Sequence, residues 1–409
     1  MPAGPICDRA LTDVVIIGGG TAGSVLAARL SEDRDRHVTL LEAGPDDSSY
    51  DNRIRDPRRA IELFTDTPHS ETFAMDAGGG HTIAMVRGRG LGGTSAVNYL
   101  VAMRGKPSDY DAWNMPGWSG AELEPYFERA EATLGVRPWE RDELSLAAEA
   151  FLEGMPGASV LSAARHANGN RRTVSEAYLA PDVRARPNLA IHTGAHVDRL
   201  DDIDAPEIVV CCGATRTPPL LQRSGIECGD GLQDHLGIPI TYQHPGSSRL
   251  GGSPGQVVRD GGDSHLIPTV VHDDGTTTIV TLLLFLLDLD DRGSVRGDQI
   301  RAQRRSERDI ARFTALLDDV LAWESSTAFD RLHLERLADL PDPATVPLLS
   351  YGHQASTCAM GTVLDECCRV RGAEHVRVVD TSSLPTLPRA TPYLTVVALA
   401  ERVADMMSG

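Results

Sequence analysis

An α/β fold is predicted for this 409-residue chain: a Rossmann-like unit followed by an α+β unit built on an antiparallel sheet. Three observations predict it. Residues 13–44, DVVIIGGGTAGSVLAARLSEDRDRHVTLLEAG, read as strand, glycine turn, helix and strand. Two further apolar runs, 208–212 and 376–379, read as buried strands, so the sheet draws on distant parts of the chain. The middle combines a β-branched and leucine-rich run, 276–287, with a helix over 309–323 whose apolar positions are Ile310, Phe313, Leu316, Leu317, Val320 and Leu321.

The first stretch carries the sharpest chemistry. Residues 13–17 form a short apolar strand, and 37–41 a second one ending at Glu42 and Ala43. Between them Gly18, Gly20 and Gly23 stand in GxGxxG spacing, with Thr21 and Ala22 inside the motif and residues 24–30 suited to a helix packed on a sheet. The first glycine permits the tight turn, the second a close approach to a pyrophosphate, and the third close packing of helix on strand. The helix start supplies unpaired amides and partial positive charge for phosphate. Glu42 can accept from a ribose diol. Strand, turn, helix, strand and terminal acid together specify a dinucleotide site.

Composition sets outer bounds. The net charge is −19, which excludes nucleic acid as a partner on electrostatic grounds. Lys106 is the single lysine among 39 basic residues. Seven cysteines without a CxxC spacing indicate neither a disulfide framework nor a zinc site. Residues 1–13 lack the charged start and apolar stretch of a secretory signal, and the most apolar run, 279–287, falls far short of the ~20 residues a membrane helix needs. A soluble, cytoplasmic protein without membrane insertion or metal is the expectation.

After Gly44 about forty residues look loop-rich, broken by PDDSS, DPRR and AGGGH. Residues 87–113, RGRGLGGTSAVNYLVAMRGKPSDYDAW, then place Arg87, Gly92, Gly93, Thr94 and Asn98 in a glycine-dense segment suited to close ligand approach. Residues 171–200 read as a helix leading to a strand, and 251–263 as a mobile loop.

RGRGLGGTSAVN resembles the first signature of the glucose–methanol–choline (GMC) oxidoreductases, and GATRTPPLLQRSGI the second; HQASTCAMG, VRVVDTSSLP and LTVVALAERVADMM resemble the family's closing block. The resemblance implies an FAD-dependent enzyme that oxidises a primary or secondary alcohol, choline dehydrogenase-like in its motifs, with natural-product tailoring as one setting. It implies FAD contacts at Gly18, Gly20, Thr21, Ala22, Gly23, Glu42, Ala43, Arg87, Gly92, Gly93, Thr94, Asn98, Val197, Asp380, Pro392 and Tyr393. Val97 stands where relatives with covalent FAD carry histidine, so binding is expected to be non-covalent. His353 matches the active-site histidine, which would take the hydroxyl proton while the carbinol hydride moves to flavin N5. Ten residues before Glu401, where relatives place histidine or asparagine, stands Thr391, which cannot titrate.

The resemblance also implies a discontinuous FAD domain, 8–135, 171–240 and 350–409, and a substrate domain, 136–170 and 241–349, with a turn between strands at 292–296. The small-molecule alcohol is one partner; oxygen, a quinone or another carrier would accept the electrons. Two segments are shortened, to ECGDG after SGI and to DDIDAP after Leu200. The family allows two alternatives: a hydroxynitrile-lyase-like enzyme that keeps FAD without net redox use, and a weakly active flavin-binding relic.

Overall fold

The computed structural model describes residues 12–64, 67–245, 250, 252–273 and 276–409. Three main sheets organise it. The first has six strands in the order Arg369–Val370, Ala373–Val378, Glu207–Val210, β1 (Val14–Ile17), β2 (Val38–Glu42) and Leu189–Thr193. All its pairings are parallel except the first. β1 and β2 are buried along their whole length, as expected of strands covered on both faces. Helix α1 (Thr21–Leu30) follows the glycine turn and starts three residues before the expected 24.

The strands expected at 208–212 and 376–379 form as Glu207–Val210 and Ala373–Val378. Each pairs in parallel register, Ile16 with Val209 and Val209 with Arg377. The C-terminal helix Pro392–Ser408 packs against α1 and against the helix Gly120–Leu134. Glu401 joins these elements. Its carboxylate has no exposed surface and accepts four hydrogen bonds: two from Arg29 (2.8 and 2.9 Å), one from Arg129 (3.1 Å) and one from the Tyr178 hydroxyl (2.8 Å).

A second core lies under an antiparallel sheet ordered Glu335–Arg336, Leu236–Pro245, Thr277–Leu286, Ser264–Asp273, Val257–Asp260 and Ala158–Val160; Leu349–Ser350 adds a further pairing to Leu236–Pro245. The helix Glu307–Glu324, opened by a Ser306–Asp309 capping box, buries Phe313, Leu316, Val320 and Trp323 in this core. Each such apolar side chain contributes roughly 1.5–3 kcal/mol by leaving water.

Three expectations need correction. The stretch after Gly44 contains a long hairpin, Ser70–Gly78 with His81–Gly88, belonging to a third, five-stranded sheet. The AGGGH breaker is its turn: Gly78, Gly79 and Gly80 take φ of 80°, 61° and 80°, which only glycine adopts readily. Met75, Ile83 and Met85 from this hairpin pack into the second core, and the strand Leu236–Pro245 crosses the expected boundary at 240. The stretch 251–263 includes the strand Val257–Asp260, with Val257 and Val258 fully buried; Gly251 itself lies outside the described residues. Lastly, residues 292–296 supply the strand Gly293–Arg296. No helix among the described residues is long and apolar enough to cross a membrane.

Candidate active site

The glycine turn meets the second glycine segment directly. A Cβ on Gly23 would sit 1.9 Å from the Gly18 carbonyl oxygen, and one on Gly93 2.7 Å from Gly20 Cα, so both close approaches require glycine. The Gly92 amide donates to the Gly19 carbonyl at 2.9 Å. Gly20 caps α1 without any side-chain bond, and the amides of Thr21 and Ala22 therefore emerge uncapped. Glu42 is buried and acts as a clasp. Its Oε2 accepts from the Gly19 amide (2.7 Å), and its Oε1 from those of Gly44 (2.7 Å) and Gly90 (3.0 Å). One lone pair remains for a ribose hydroxyl. Ala43 follows it, half-buried. Val197, also buried, follows the Ala195 amide, which donates to the Glu42 carbonyl (2.8 Å).

Asp380 closes the opposite edge. It accepts from the Gly213 amide (2.8 Å), the Thr217 hydroxyl (2.7 Å) and the Ser382 amide (2.7 Å), while burial raises its pKa. It thereby ties the second signature to the C-terminal block.

Asn98 is held by a residue that sequence reading passed over. Arg171 is 2% exposed and donates to the Ile54 carbonyl (2.8 Å), the Ser95 carbonyl (3.1 Å) and Asn98 Oδ1 (2.8 Å). Asn98 Oδ1 also accepts from the Leu100 amide (3.0 Å), so its NH2 remains free to donate to a ligand. Among the described residues no carboxylate hydrogen-bonds Arg171, although Glu176 is an electrostatic neighbour; burial pulls its pKa to about 10, and Nη2 has no partner there. The Tyr393 and Tyr50 hydroxyls are its electrostatic neighbours. Pro392 and Tyr393 are buried at the start of the last helix, and burial raises the Tyr393 pKa. Val97 is buried and apolar.

His353 lies where the two cores meet. Its Nδ1 is 2.8 Å from Nδ1 of His235, and the rings stand nearly perpendicular at 5.0 Å. Tyr351 tilts against His353 at 4.1 Å and stacks flat on Phe285 at 3.9 Å. The His353 amide donates to Asp234 Oδ1 (2.9 Å), and Asp234 also accepts from Ser350 and Gln354. Arg87 completes this scaffold, donating to the Gly352 carbonyl (2.7 Å) and to Gln354. Burial pulls Arg87 to about 10 and pushes Asp234 up to about 6. Burial also drives His235 and His353 well below the ordinary histidine value. His265 is held down to about 4 by its burial, and neither of its ring nitrogens has a partner.

Thr391 is buried three residues beyond Pro388, and its hydroxyl donates to the Val101 carbonyl at 3.4 Å. The side chain within hydrogen-bond reach of the His353 ring is His235. Sequence reading also missed Asp234, Gln354 and Arg171. The available signal was LQDH, a polar Asp-His pair at the mouth of a strongly apolar strand.

These groups fit a flavin dinucleotide: an uncapped helix start, a clasped acid with one free lone pair, a buried guanidinium with an unpartnered Nη2 and an amide fixed as donor. The GMC oxidoreductase N-terminal model matches residues 12–202 and 201–237, and its C-terminal model 301–400. The chain belongs to the GMC oxidoreductase family. It is accordingly an FAD-dependent oxidoreductase acting on CH–OH donors.

Pyridoxine 4-oxidase of Microbacterium luteolum is 28% identical over 497 aligned positions, covering 95% of this chain and 98% of the relative. An oxygen-dependent choline dehydrogenase of Staphylococcus aureus is 26% identical, covering 97% and 93%. The crystal structure of pyridoxine 4-oxidase from Mesorbium loti superposes with a TM-score of 0.86 at 26% identity, covering 97% of this chain and 99% of that one. A formate oxidase, at 18% identity and TM-score 0.81, bears on the fold alone. An alignment of 497 positions against 409 residues shows that this GMC protein is compact.

Proposed function

We propose that this GMC enzyme oxidises a primary or secondary alcohol carried on a flat ring, with His353 as the base that takes the hydroxyl proton. The carrying observation is the His353 imidazole: half-buried, anchored on one edge by His235 and flanked by Tyr351. A neutral histidine so placed can accept a proton from a substrate hydroxyl through its other nitrogen. Bound FAD would accept the hydride. Tyr99, in edge contact with Phe64 (5.2 Å), and the Phe285–Tyr351 stack offer aromatic faces for a ring substrate. The pyridoxine 4-oxidase relatives support the same class.

The uncapped α1 start would hold the pyrophosphate, Glu42 the ribose, and Asn98 with Arg171 the isoalloxazine end, non-covalently beside Val97. Thr391 would orient the substrate oxygen from the backbone near Val101. The elements around the parallel sheet would form the cofactor domain, and those around the antiparallel sheet the substrate domain.

The visible spectrum of the purified protein tests this reading, followed anaerobically while pyridoxine, benzyl alcohol and choline are added. The expected result is bleaching by a ring alcohol, and admission of air then distinguishes oxygen from a quinone or other acceptor. A flavin band that no alcohol bleaches would overturn the oxidation proposed here and favour lyase chemistry.

A further inference from the structure

The proton between His353 and His235 has a direction that the surroundings decide. The two Nδ1 atoms are 2.8 Å apart, close enough for one hydrogen to lie between them and too close for two. Burial keeps both rings neutral, so each carries a single N–H. One ring therefore donates through Nδ1 and has a bare Nε2, and the other has its proton on Nε2.

His235 has no exposed surface, and the hydrogen-bonding backbone group facing it is the Pro388 carbonyl. That carbonyl attracts a ring N–H, although Nε2 falls short of full hydrogen-bond geometry. A carbonyl can only accept, so the His235 proton belongs on Nε2 and its Nδ1 is left as an acceptor. His353 then donates from Nδ1, and its Nε2 is bare. This is the tautomer a base requires, because the opposite arrangement would present an N–H to the substrate hydroxyl.

We propose that His235 is a positioning residue that holds His353 in its base-competent tautomer by accepting the His353 Nδ1–H. The inference rests on the reading of His353 as the base. In the chemical step the substrate O–H bond breaks and a His353 Nε2–H bond forms. The positive charge on His353 then strengthens the Nδ1–H bond to His235, which gains no proton. His265, buried beside the pair, makes a charge on His235 still less favourable, so His235 acts as an acceptor and not as a second base.

Two measurements test this. In holoenzyme labelled with 15N at the histidine rings, the His353 resonances are identified by their loss in His353→Gln. The expected spectrum has a protonated Nδ1 and an unprotonated Nε2; the reverse pattern overturns the proposal. Anaerobic rapid mixing with pyridoxine and benzyl alcohol then compares His235→Leu with His235→Asn. Leucine should lower the limiting rate of flavin reduction about tenfold or more with little change in half-saturation. Asparagine, whose side-chain oxygen can occupy the Nδ1 position, should retain most of the rate. Equal rates in wild type and His235→Leu overturn the positioning role. Normal reduction in His353→Gln would instead remove the base reading, while the labelling experiment would still report the tautomer.

Discussion

On the Glu401 carboxylate every lone pair is filled; around His353 and Arg171 several polar valences stand open. The Glu401 carboxylate accepts four hydrogen bonds, one for each lone pair, from Arg29, Arg129 and Tyr178. In the other region both nitrogens of His265, Arg171 Nη2 and the hydroxyls of Ser356 and Ser382 have no partner among the described residues. Buried polar groups normally find partners, and leaving one without costs roughly 1–3 kcal/mol. Saturation is what a structural clasp needs, and open valences are what a ligand site needs.

The comparison can be broken by mutation. The largest effect is expected from His353→Ala, which should slow anaerobic flavin reduction by ~10²–10⁴ while the flavin stays bound. Unchanged reduction would place the chemistry elsewhere. Next, Glu401→Gln should cost about 3–5 kcal/mol of stability in denaturant titrations, because it leaves two arginines facing a neutral amide. Flavin reduction by the molecules that remain folded should be unchanged.

The pH dependence of stability sharpens the contrast. His235, His265 and His353 are all held below the ordinary histidine value, so the unfolded chain binds protons the native state refuses. Stability should therefore fall as pH drops from about 6.5 toward 4. Asp234, raised to about 6, acts in the opposite sense between about 4 and 6 and reduces the slope. A smaller effect follows for His265→Leu, which removes two orphaned nitrogens: stability should rise by about 1 kcal/mol and the acid slope should lose one proton. A loss of stability would show that His265 has partners in solution. The smallest change is expected at Thr391, where asparagine should preserve or raise the reduction rate. A Thr391→Ala variant with wild-type kinetics would make it a spectator.

Legibility in the sequence followed locality. The β1–turn–α1–β2 unit could be read because turn, helix and strand signals lie within thirty residues, and Gly23 answers a contact inside that window, with the Gly18 carbonyl. His353 and Asn98 were legible through long family motifs. The Ser70–Gly88 hairpin was not, because its breakers resemble a loop until the turn geometry is known. His235 escaped because its significance is a single contact across 118 positions, and Arg171 because its partners lie 73 to 117 positions away. The reading of Glu42 as a ribose acceptor was incomplete for the same reason: Gly90 is remote in sequence.

The order of strands in the parallel sheet has a consequence for biosynthesis. β1 is made well before its neighbour Glu207–Val210, and Ala373–Val378, which pairs with that strand, is made later still. Asp380, the His353 loop and the final helix follow the same late schedule. A nascent chain on the ribosome therefore carries an unfinished sheet for most of its synthesis, with apolar edges waiting on distant partners. Flavin capture must then wait for segments that are made long after the glycine turn.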